Sequence, residues 1–411
     1  MPDATEHRAA RPDDVPAILE LTSQAFGEDI RPRMAAMLYG DATYRPAQSR
    51  LALLDGVPAS HVRVAPRPIR YGAVTLPMGG VGAVATLPAY QGRGLASALL
   101  ADATALMVES GYPLGMLFTG IPPFYMRLGW VPFPEYQFQF CCERGGRTPA
   151  LGFDGYAVRP FDARHDLAAV ARVYDAYNEH RTGSLVRQPQ TWRDEHSRVL
   201  GMLPAFVAAV DDEIVAYASA SVDGASVRVN EGGCLPGHEA AFRPLAHAIV
   251  VRARAAEAIS IEGQLPRGHG LLSALRMSSA IPCEGRIRQH MLLRLNDLAG
   301  LLRAVLPVLS KRLRPWPSLA LRHRVLGLRV AGQEARLALA PGRAALTRDQ
   351  ADRSLDLPAA LFFRLFFGET PLPLLTEELA VTGAVLDDDD RMLLAALFPP
   401  QDFVYWRADH F

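Results

Sequence analysis

The chain has 411 residues, which is too long for one ordinary hydrophobic core and predicts two or three domains. Apolar residues make up 49% of the sequence and charged residues 21%, a balance that is typical of globular proteins and excludes a largely disordered chain. Lysine plus arginine equals aspartate plus glutamate, at 43 each. No excess of positive charge therefore points to nucleic acid or to an anionic membrane as a partner.

The first residues are polar and acidic, unlike a secretory signal peptide. No apolar run is long enough to span a bilayer. The four cysteines form no C-x-x-C pair, and we interpret them as unpaired thiols packed as small hydrophobic residues. These features predict a cytoplasmic protein without a membrane partner.

The first predicted elements recur later in the chain. A short strand near Ala9 runs into Pro12–Asp14, and the apolar spacing of Val15–Phe26 predicts a helix. The same order returns 148 residues later, where Ala157–Asp162 precedes the helical pattern Leu167–Tyr174. Aspartate beside proline suits a turn and a helix N-cap. Although such short patterns can match by chance, they indicate a duplicated fold.

The strongest functional signal is a strand followed by a glycine-rich turn and a helix. The apolar strand Val81–Ala85 ends at a proline, and an amphipathic stretch begins at Leu95. This order places unpaired backbone N–H groups at a helix start, where the helix dipole favours anions. Gly92 and Gly94 lack a Cβ, so a phosphate can approach the main chain, and Arg93 can add a cation. The alternative is a glycine turn with no ligand.

Two motifs in this order resemble the signatures of the GCN5-related N-acetyltransferases. The first is Gln91-x-x-Gly94-x-Ala96, which follows the strand end Val84–Pro88. The second lies about thirty residues further on, where Phe124-Tyr125 is followed by Gly129-Trp130. The resemblance implies acetyl-CoA as the acetyl donor.

The second copy is expected to contain strands at Ala205–Val210 and Val215–Ser221. Where its phosphate-binding loop should fall, residues 230–239 contain glycines but no Gln/Arg-x-x-Gly-x-Gly/Ala motif. The same segment carries Glu231 and Glu239, and carboxylates there would repel a pyrophosphate. We therefore expect the second copy to bind no cofactor.

A third, α+β domain is expected in the last part of the chain. Residues 144–155 are rich in glycine and proline and predict a first linker, and a second boundary falls near residue 290. Beyond it come the predicted helix Leu298–Leu309 and, after several strands, the helical stretches Pro358–Phe367 and Arg391–Phe398. The strands are expected at Leu319–His323, Leu328–Val330, Ala335–Leu339 and Ala344–Leu346.

This layout resembles the Eis-type (enhanced intracellular survival) acetyltransferases. The resemblance implies an α/β (α+β) fold in which residues 1–145 form a catalytic acetyltransferase domain, 150–290 a degenerate copy, and 291–411 a domain like a sterol carrier protein. It implies acetyl transfer in a ternary complex to a primary amine of an aminoglycoside or a lysine-like compound, small molecule or peptide. It also implies a homo-hexamer. The alternative is a non-catalytic CoA-binding sensor or an acyl or lipid carrier.

The resemblance also implies how the cofactor would be held. The backbone of Val84, Ala85 and Thr86 would hydrogen-bond the pantetheine arm and the acetyl oxygen. The pyrophosphate would be held by the following run of residues: Gln91, Gly92, Arg93, Gly94, Leu95 and Ala96. The commonest Eis-type loop has more arginines than this one, so CoA binding is expected to be slightly weaker. Arg93 has the alternative of being a solvated surface residue.

Two catalytic residues follow from the resemblance. Tyr125 matches the general acid, and its phenol is protonated at neutral pH. The alternative is an amphipathic tyrosine that packs beneath the CoA. Phe411 would supply the general base through the C-terminal carboxylate, whose pKa partial burial would raise. The aromatic residues Phe403, Tyr405 and Trp406 argue against a frayed tail.

Glu28 and Asp29 follow the first predicted helix. They could attract a cationic substrate, or they could form an acidic surface at the helix end. Asp387–Asp390 precede a helical pattern, where acids suit a helix N-terminus better than a calcium loop.

Overall fold

A computed structural model of the chain describes residues 5–142, 155–193, 205–278, 283–316, 324–383 and 385–411. Most of the predicted linker at 144–155 and the strand expected at 319–323 lie outside these residues. In the described part of the chain, no helix combines the length and the apolar character needed to cross a bilayer.

The first 141 residues alternate strands and helices as the sequence predicts. The elements are β1 (Thr5–Ala9), α1 (Val15–Phe26), α2 (Arg31–Tyr39), β2 (Ser49–Leu54), β3 (Val57–Pro66), β4 (Ile69–Tyr71), β5 (Val74–Leu76), β6 (Met78–Thr86), α3 (Leu95–Glu109), β7 (Leu114–Phe118), α4 (Pro122–Met126) and β8 (Val131–Cys141).

Within its described residues, the next part repeats this order without counterparts of α2 and of the β4–β5 hairpin. Its described elements are β9 (Ala157–Pro160), α5 (Leu167–Asn178), β10 (Phe206–Val210), β11 (Glu213–Asp223), β12 (Ser226–Cys234), α6 (Phe242–Ala255), β13 (Ser260–Gly263), α7 (Gly270–Ser278) and β14 (Cys283–Leu295).

The last part contains a separate small sheet and helices that pack against it. Its described elements are α8 (Leu298–Leu313), β15 (Arg324–Val330), β16 (Gln333–Ala340), β17 (Arg343–Leu346), β18 (Arg353–Leu357), α9 (Ala359–Phe366), α10 (Leu372–Val381) and α11 (Asp388–Leu397). The sheet has the order β17-β16-β15-β18. Asp387 caps α11 by accepting a hydrogen bond from the Asp390 N–H at 2.7 Å, so the aspartate run does mark a helix N-terminus.

The two copies share one twelve-stranded sheet with a symmetric strand order. The order is β1-β2-β3-β6-β7-β14-β8-β13-β12-β11-β10-β9. Counted inward from the two edges of the sheet, the strands of the first copy correspond in turn to the strands of the second. The pairs β6–β7 and β12–β13 are both parallel. The long central strands β8 and β14 have exchanged places, because β14 lies against β7 and β8 lies against β13. This exchange binds the two copies into one structure.

The duplication is confirmed at the start of each copy, but in a different register. Arg8 donates two hydrogen bonds to Asp14, which precedes α1, and Arg159 does the same to Asp166, which precedes α5. A bidentate arginine–carboxylate pair fixes the strand end against the helix start in both copies. Arg159 thus corresponds to Arg8 in the structure. The 148-residue repeat in the sequence instead pairs Arg159 with Arg11.

The third part shares a core with the first copy. Tyr71 of the β4–β5 hairpin stacks on Phe366 at 4.7 Å between ring centroids, and its hydroxyl donates to the Phe366 carbonyl at 2.8 Å. Fully burying an aromatic or leucine side chain contributes about 1.5–3 kcal/mol, so this shared cluster fixes α9 against the first copy. Cys234 is buried as expected, but Cys141 is exposed at the end of β8, so the expectation of a packed thiol is wrong there.

Candidate active site

The glycine-rich turn between β6 and α3 has the geometry of an anion-binding site. Gly92 and Gly94 have φ angles of +77° and +81°, and a Cβ on either would meet no atom within 4 Å. The space before the turn is therefore open. Gly94 caps α3, and among the described residues no acceptor binds the N–H groups of Gly92, Gly94, Leu95 or Ala96. Unpaired donors at a helix N-terminus, facing open space, fit a phosphate.

The cationic and amide side chains of the turn are exposed. The Arg93 guanidinium lies 5.4 Å from the centroid of the Tyr90 ring. The Gln91 side-chain amide donates to the Thr86 carbonyl at 3.4 Å, which ties the turn to the end of β6. The turn therefore depends mainly on its backbone for binding an anion, with Arg93 at its rim.

The edge of β6 that faces β7 is unpaired beyond Gly80. The two strands pair only over Met78–Gly80, and the pairing of β6 with β3 has a register shift next to Ala83, whose φ is +49°. The other edge stays bound to β3, where Ser60 donates to the Ala85 carbonyl at 2.9 Å. Val84, Ala85 and Thr86 therefore lie where β6 and β7 no longer pair, and we call this gap between the strands the cleft; that it holds a pantetheine arm stays a prediction.

Tyr125 lies in the core beneath this cleft. It is buried in the cluster that also contains Leu95 and Trp130, so packing ties α4 to the start of α3. Burial raises the pKa of Tyr125 to about 12, although the Thr119 side chain hydrogen-bonds to it and opposes the shift. Tyr125 is therefore a proton donor throughout the physiological pH range.

Phe411 packs against β6 on the face of the sheet opposite to Tyr125. A Cβ on Gly80 would lie 2.6 Å from its ring, and a Cβ on Gly82 would lie 3.3 Å from its backbone carbonyl carbon. The two glycines let the end of the chain approach the strand beside the bulge. The tail is thus buried rather than frayed, as the sequence predicts.

The end of β7 connects Tyr125 to the tail. The Phe118 ring stacks on His410 at 3.7 Å between centroids and lies 5.6 Å from the Phe411 ring. The next residue, Thr119, hydrogen-bonds to Tyr125. One dipeptide therefore contacts both of the predicted catalytic residues, and the structure brings them to the same end of the cleft.

Positively charged side chains surround this end of the cleft. Burial, together with the charges of Arg407 and Arg33, lowers the pKa of His410 well below its usual value. Burial and the charges of Arg288 and Arg407 likewise lower the pKa of His290. Among the described residues, no carboxylate lies at ion-pair distance from these three guanidiniums. The carboxylates of Glu135 and Glu262 act on Arg407 from a greater distance and offset part of this positive charge.

A cavity of about 520 Å³ opens on the sheet face that carries the tail. Tyr405 and Glu135 line it, and the Glu135 carboxylate accepts the Met291 N–H at 3.1 Å. Burial raises the pKa of Glu135 to about 7, against the opposing effects of the Met291 hydrogen bond and of Arg407. The predicted cofactor residues do not line this cavity, so the cofactor cleft and the cavity are separate features.

Glu28 and Asp29 lie at the exposed end of α1. Glu28 is 3.9 Å from Arg31, which also pairs with Glu20 at 3.0 Å. Arg31 therefore offsets part of the acidic charge.

Sequence reasoning missed the residues that support the tail. Gly80 and Gly82 alternate along β6, and two glycines on one face of a strand signal close approach of another group. Phe118 and His410 carried no such local signal, because their stacking joins residues that are far apart in the chain.

Comparisons with known proteins find similar sequences and similar folds. Residues 6–133 match the family described as Acetyltransferase (GNAT) domain. The N-acetyltransferase Eis of Mycobacterium tuberculosis is 28% identical over 193 residues, covering 44% of this chain and 46% of that protein. The chain therefore spans about half the length of the curated relatives it matches. These relatives confirm the resemblance that the motifs indicated.

Solved structures match over nearly the whole chain. Eis1 from Mycobacterium abscessus has a TM-score of 0.67 at 16% identity, covering 99% of this chain and 100% of that one. A GCN5-related N-acetyltransferase from Kribbella flavida has a TM-score of 0.71 at 19% identity, covering 100% and 99%. At such identities the likeness shows a common fold and nothing finer.

Proposed function

Because the chain is an Eis-type homologue with a GNAT acetyltransferase domain over residues 6–133, we propose that it transfers an acetyl group from acetyl-CoA to a primary amine. The observation that carries this proposal is the open turn at Gly92 and Gly94 beside the unpaired edge of β6. A pyrophosphate fits the turn and a pantetheine arm fits the edge. Tyr125 and Phe411 both contact the dipeptide Phe118–Thr119 at the end of β7.

Each proposed residue has one task in a direct transfer. Acetyl-CoA would supply the acetyl group as a thioester. The Phe411 carboxylate accepts a proton from the amine, whose nitrogen forms the new bond to the acetyl carbon. Backbone N–H groups of Val84–Thr86 stabilise the developing oxyanion. Tyr125 donates its proton to the sulfur as the carbon–sulfur bond breaks, and solvent returns that proton.

Of the two acceptor classes that the Eis resemblance implies, a lysine-like amine suits this chain better than an aminoglycoside. Arg33, Arg288 and Arg407 act on the histidines beside the tail and would repel a polycation. The carboxylate of an amino acid, or the main-chain end of a peptide, would instead be attracted. Arg31 offsets part of the opposing charge of Glu28 and Asp29, because it lies 3.9 Å from Glu28.

An amine panel tests both the reaction and the acceptor. The protein is incubated with acetyl-CoA and either aminoglycosides, lysine and lysyl peptides, or neutral amines, while free thiol release is followed. We expect release with lysine-like amines and a slower rate with polycations. Thermal stabilisation by acetyl-CoA without thiol release for any amine would favour the alternative, a non-catalytic CoA-binding sensor or acyl carrier.

The remaining family expectations belong to the same proposal. We propose that residues 1–145 are the catalytic domain, 150–290 the cofactor-free copy, and 291–411 a domain like a sterol carrier protein. The separate four-stranded sheet β17-β16-β15-β18 supports the third unit, although its core is shared with the first copy. We also propose a cytoplasmic homo-hexamer. A monomer by sedimentation at micromolar concentration would contradict that assembly.

A further inference from the structure

The tail that ends at Phe411 is hydrogen-bonded to the second copy before its last residues pack against the first. Thr182 forms a parallel bridge with Phe403, and the Val404 N–H donates to the Thr182 carbonyl at 2.9 Å. The Trp406 indole N–H donates to the Asn178 side-chain carbonyl at 3.0 Å. The tail then crosses to the first copy at its last two residues.

A buried ionic cluster fixes the crossing point. The Arg187 guanidinium donates to Asp409 at 2.7 Å and to both oxygens of Glu231, and all three side chains are almost fully buried. Tyr174 lies beneath, with its ring centroid 4.0 Å from the guanidinium carbon. Although burial opposes it, the charges of Asp409 and Glu231 raise the pKa of Arg187 well above its usual value. Arg187 therefore stays protonated.

This cluster occupies the part of the second copy that corresponds to the cofactor cleft of the first. Glu231 lies on β12, the counterpart of β6, just beyond the residues that pair with β13. In the first copy β6 is likewise unpaired with its neighbour beyond Gly80, and Phe411 lies beside Gly82. In the second copy His269 hydrogen-bonds to the Gly232 carbonyl at 3.2 Å, and Trp406 packs on His269 at 5.6 Å between ring centroids. The tail therefore lies beside the unpaired part of the strand in both copies.

We propose that Arg187, held between Glu231 and Asp409, is a positioning residue for acetyl transfer, through which the second copy sets the place of the Phe411 carboxylate. This inference rests on the proposed function. Asp409 precedes Phe411 by two residues, so the chain between them spans at most roughly 7 Å. A displacement of about 1 Å at a reacting group can cost on the order of 10²-fold in rate. Loss of the Arg187–Asp409 contact would therefore displace the Phe411 carboxylate, which is the proposed base.

The test is a kinetic cycle in the full-length protein. Arg187→Leu is combined with deletion of Phe411, and kcat and the KM for acetyl-CoA are measured for all four forms. We expect Arg187→Leu alone to lower kcat at least 10-fold with the KM changed less than about 2-fold. In the protein without Phe411, the same substitution should change kcat less than about 2-fold. Arg187→Lys, which keeps one cation, should restore part of kcat. Equal losses in both backgrounds would show a merely structural role.

A second variant allows the same test if Arg187→Leu fails to fold. A Cβ on Gly183 would lie 2.5 Å from the Phe403 ring and 2.8 Å from the Val404 carbonyl, so Gly183→Ala displaces the tail without touching the ionic cluster. We expect the same coupling to Phe411. Arg159→Leu is the control, because it removes the partner of Asp166 in the same copy, away from the tail, and should leave kcat unchanged.

A measurement without turnover separates this inference from the proposed function. Hydrogen exchange of residues 403–411 is followed by mass spectrometry in the wild type and in Arg187→Leu. We expect faster exchange in the tail and unchanged exchange in α3. Unchanged tail exchange would overturn the inference even if the protein acetylates amines. A wild type that acetylates no amine would instead overturn the proposed function.

Discussion

The two copies place the same strand–turn–helix unit at corresponding points of one sheet, yet the strand before the turn differs between them. In the first, Gly94 precedes α3 at φ +81°, and β6 forms no pair with β7 beyond Gly80. In the second, Gly237 has φ +84° and is equally open. The difference lies on the strand, where the second copy buries Glu231 against Arg187, which also binds Asp409 of the tail. A glycine turn is therefore common to both copies, and the strand edge beside it distinguishes them.

The largest expected effect comes from removing the tail's last two residues. Deleting His410 and Phe411 should lower kcat by on the order of 10²-fold or more, because the proposed base is lost. The affinity for acetyl-CoA should stay nearly unchanged, since the turn lies elsewhere. Residues appended after Phe411 should act similarly, because they replace the carboxylate with an amide.

The control for this deletion is a thermal melt, because losing a buried phenylalanine can cost about 3 kcal/mol of stability. A folded, shortened protein that acetylates at the original rate would make the tail structural. The base would then have to be sought near Glu28, Asp29 or a bound water.

Two buried glutamates, one from each copy, should give opposite results when each is replaced by glutamine. The pKa of Glu135 is about 7 in the folded chain against an ordinary value of 4.5, so its ionisation opposes folding. Stability should therefore fall as pH rises from about 4.5 to 7, by up to about 3 kcal/mol. Glu135→Gln should remove this loss and be more stable than wild type at pH 8.

The matched variant is Glu231→Gln, which should be less stable than wild type at pH 8, because it takes a carboxylate from Arg187 in the interior. Both are measured by denaturant unfolding at pH 4.5, 6 and 8. If Glu135→Gln also destabilises at pH 8, burial of Glu135 is not the dominant effect on that carboxyl.

Tyr125→Phe should lower kcat by on the order of 10²-fold, through loss of the proton donor. Because the pKa of Tyr125 is about 12, the wild-type rate should show no loss from tyrosine ionisation below about pH 11. Phe124→Leu is the matched control, since it alters the adjoining ring, which lies 4.9 Å away, without removing a hydroxyl. Equal losses in both variants would support a tyrosine that only packs beneath the cofactor.

Local features of the sequence predicted much of this site. Gly92 and Gly94 were predictable because only glycine adopts such φ angles without strain, and the strand before them is apolar. The exchange of β8 and β14 was not predictable, because alternation along a strand identifies its buried face but not its neighbours. The Arg187 cluster was not predictable either, because Arg187 is separated from Glu231 by 44 positions and from Asp409 by 222 positions in the chain.

The smallest expected effect comes from substitutions in the glycine turns of the two copies. Gly94→Ala and Gly237→Ala each place a Cβ on a residue with positive φ and open space around it, so each should cost about 1–2 kcal/mol of stability. Only Gly94→Ala should also raise the KM for acetyl-CoA, by roughly 10-fold, because the new methyl group stands between the phosphate and the helix N-terminus. The backbone strain is matched in the two variants. Any difference between their KM values for acetyl-CoA therefore reports contact of the turn with the ligand. Equal KM values would mean that the turn does not hold the pyrophosphate. The contrast between the copies would then rest on the strand edge alone.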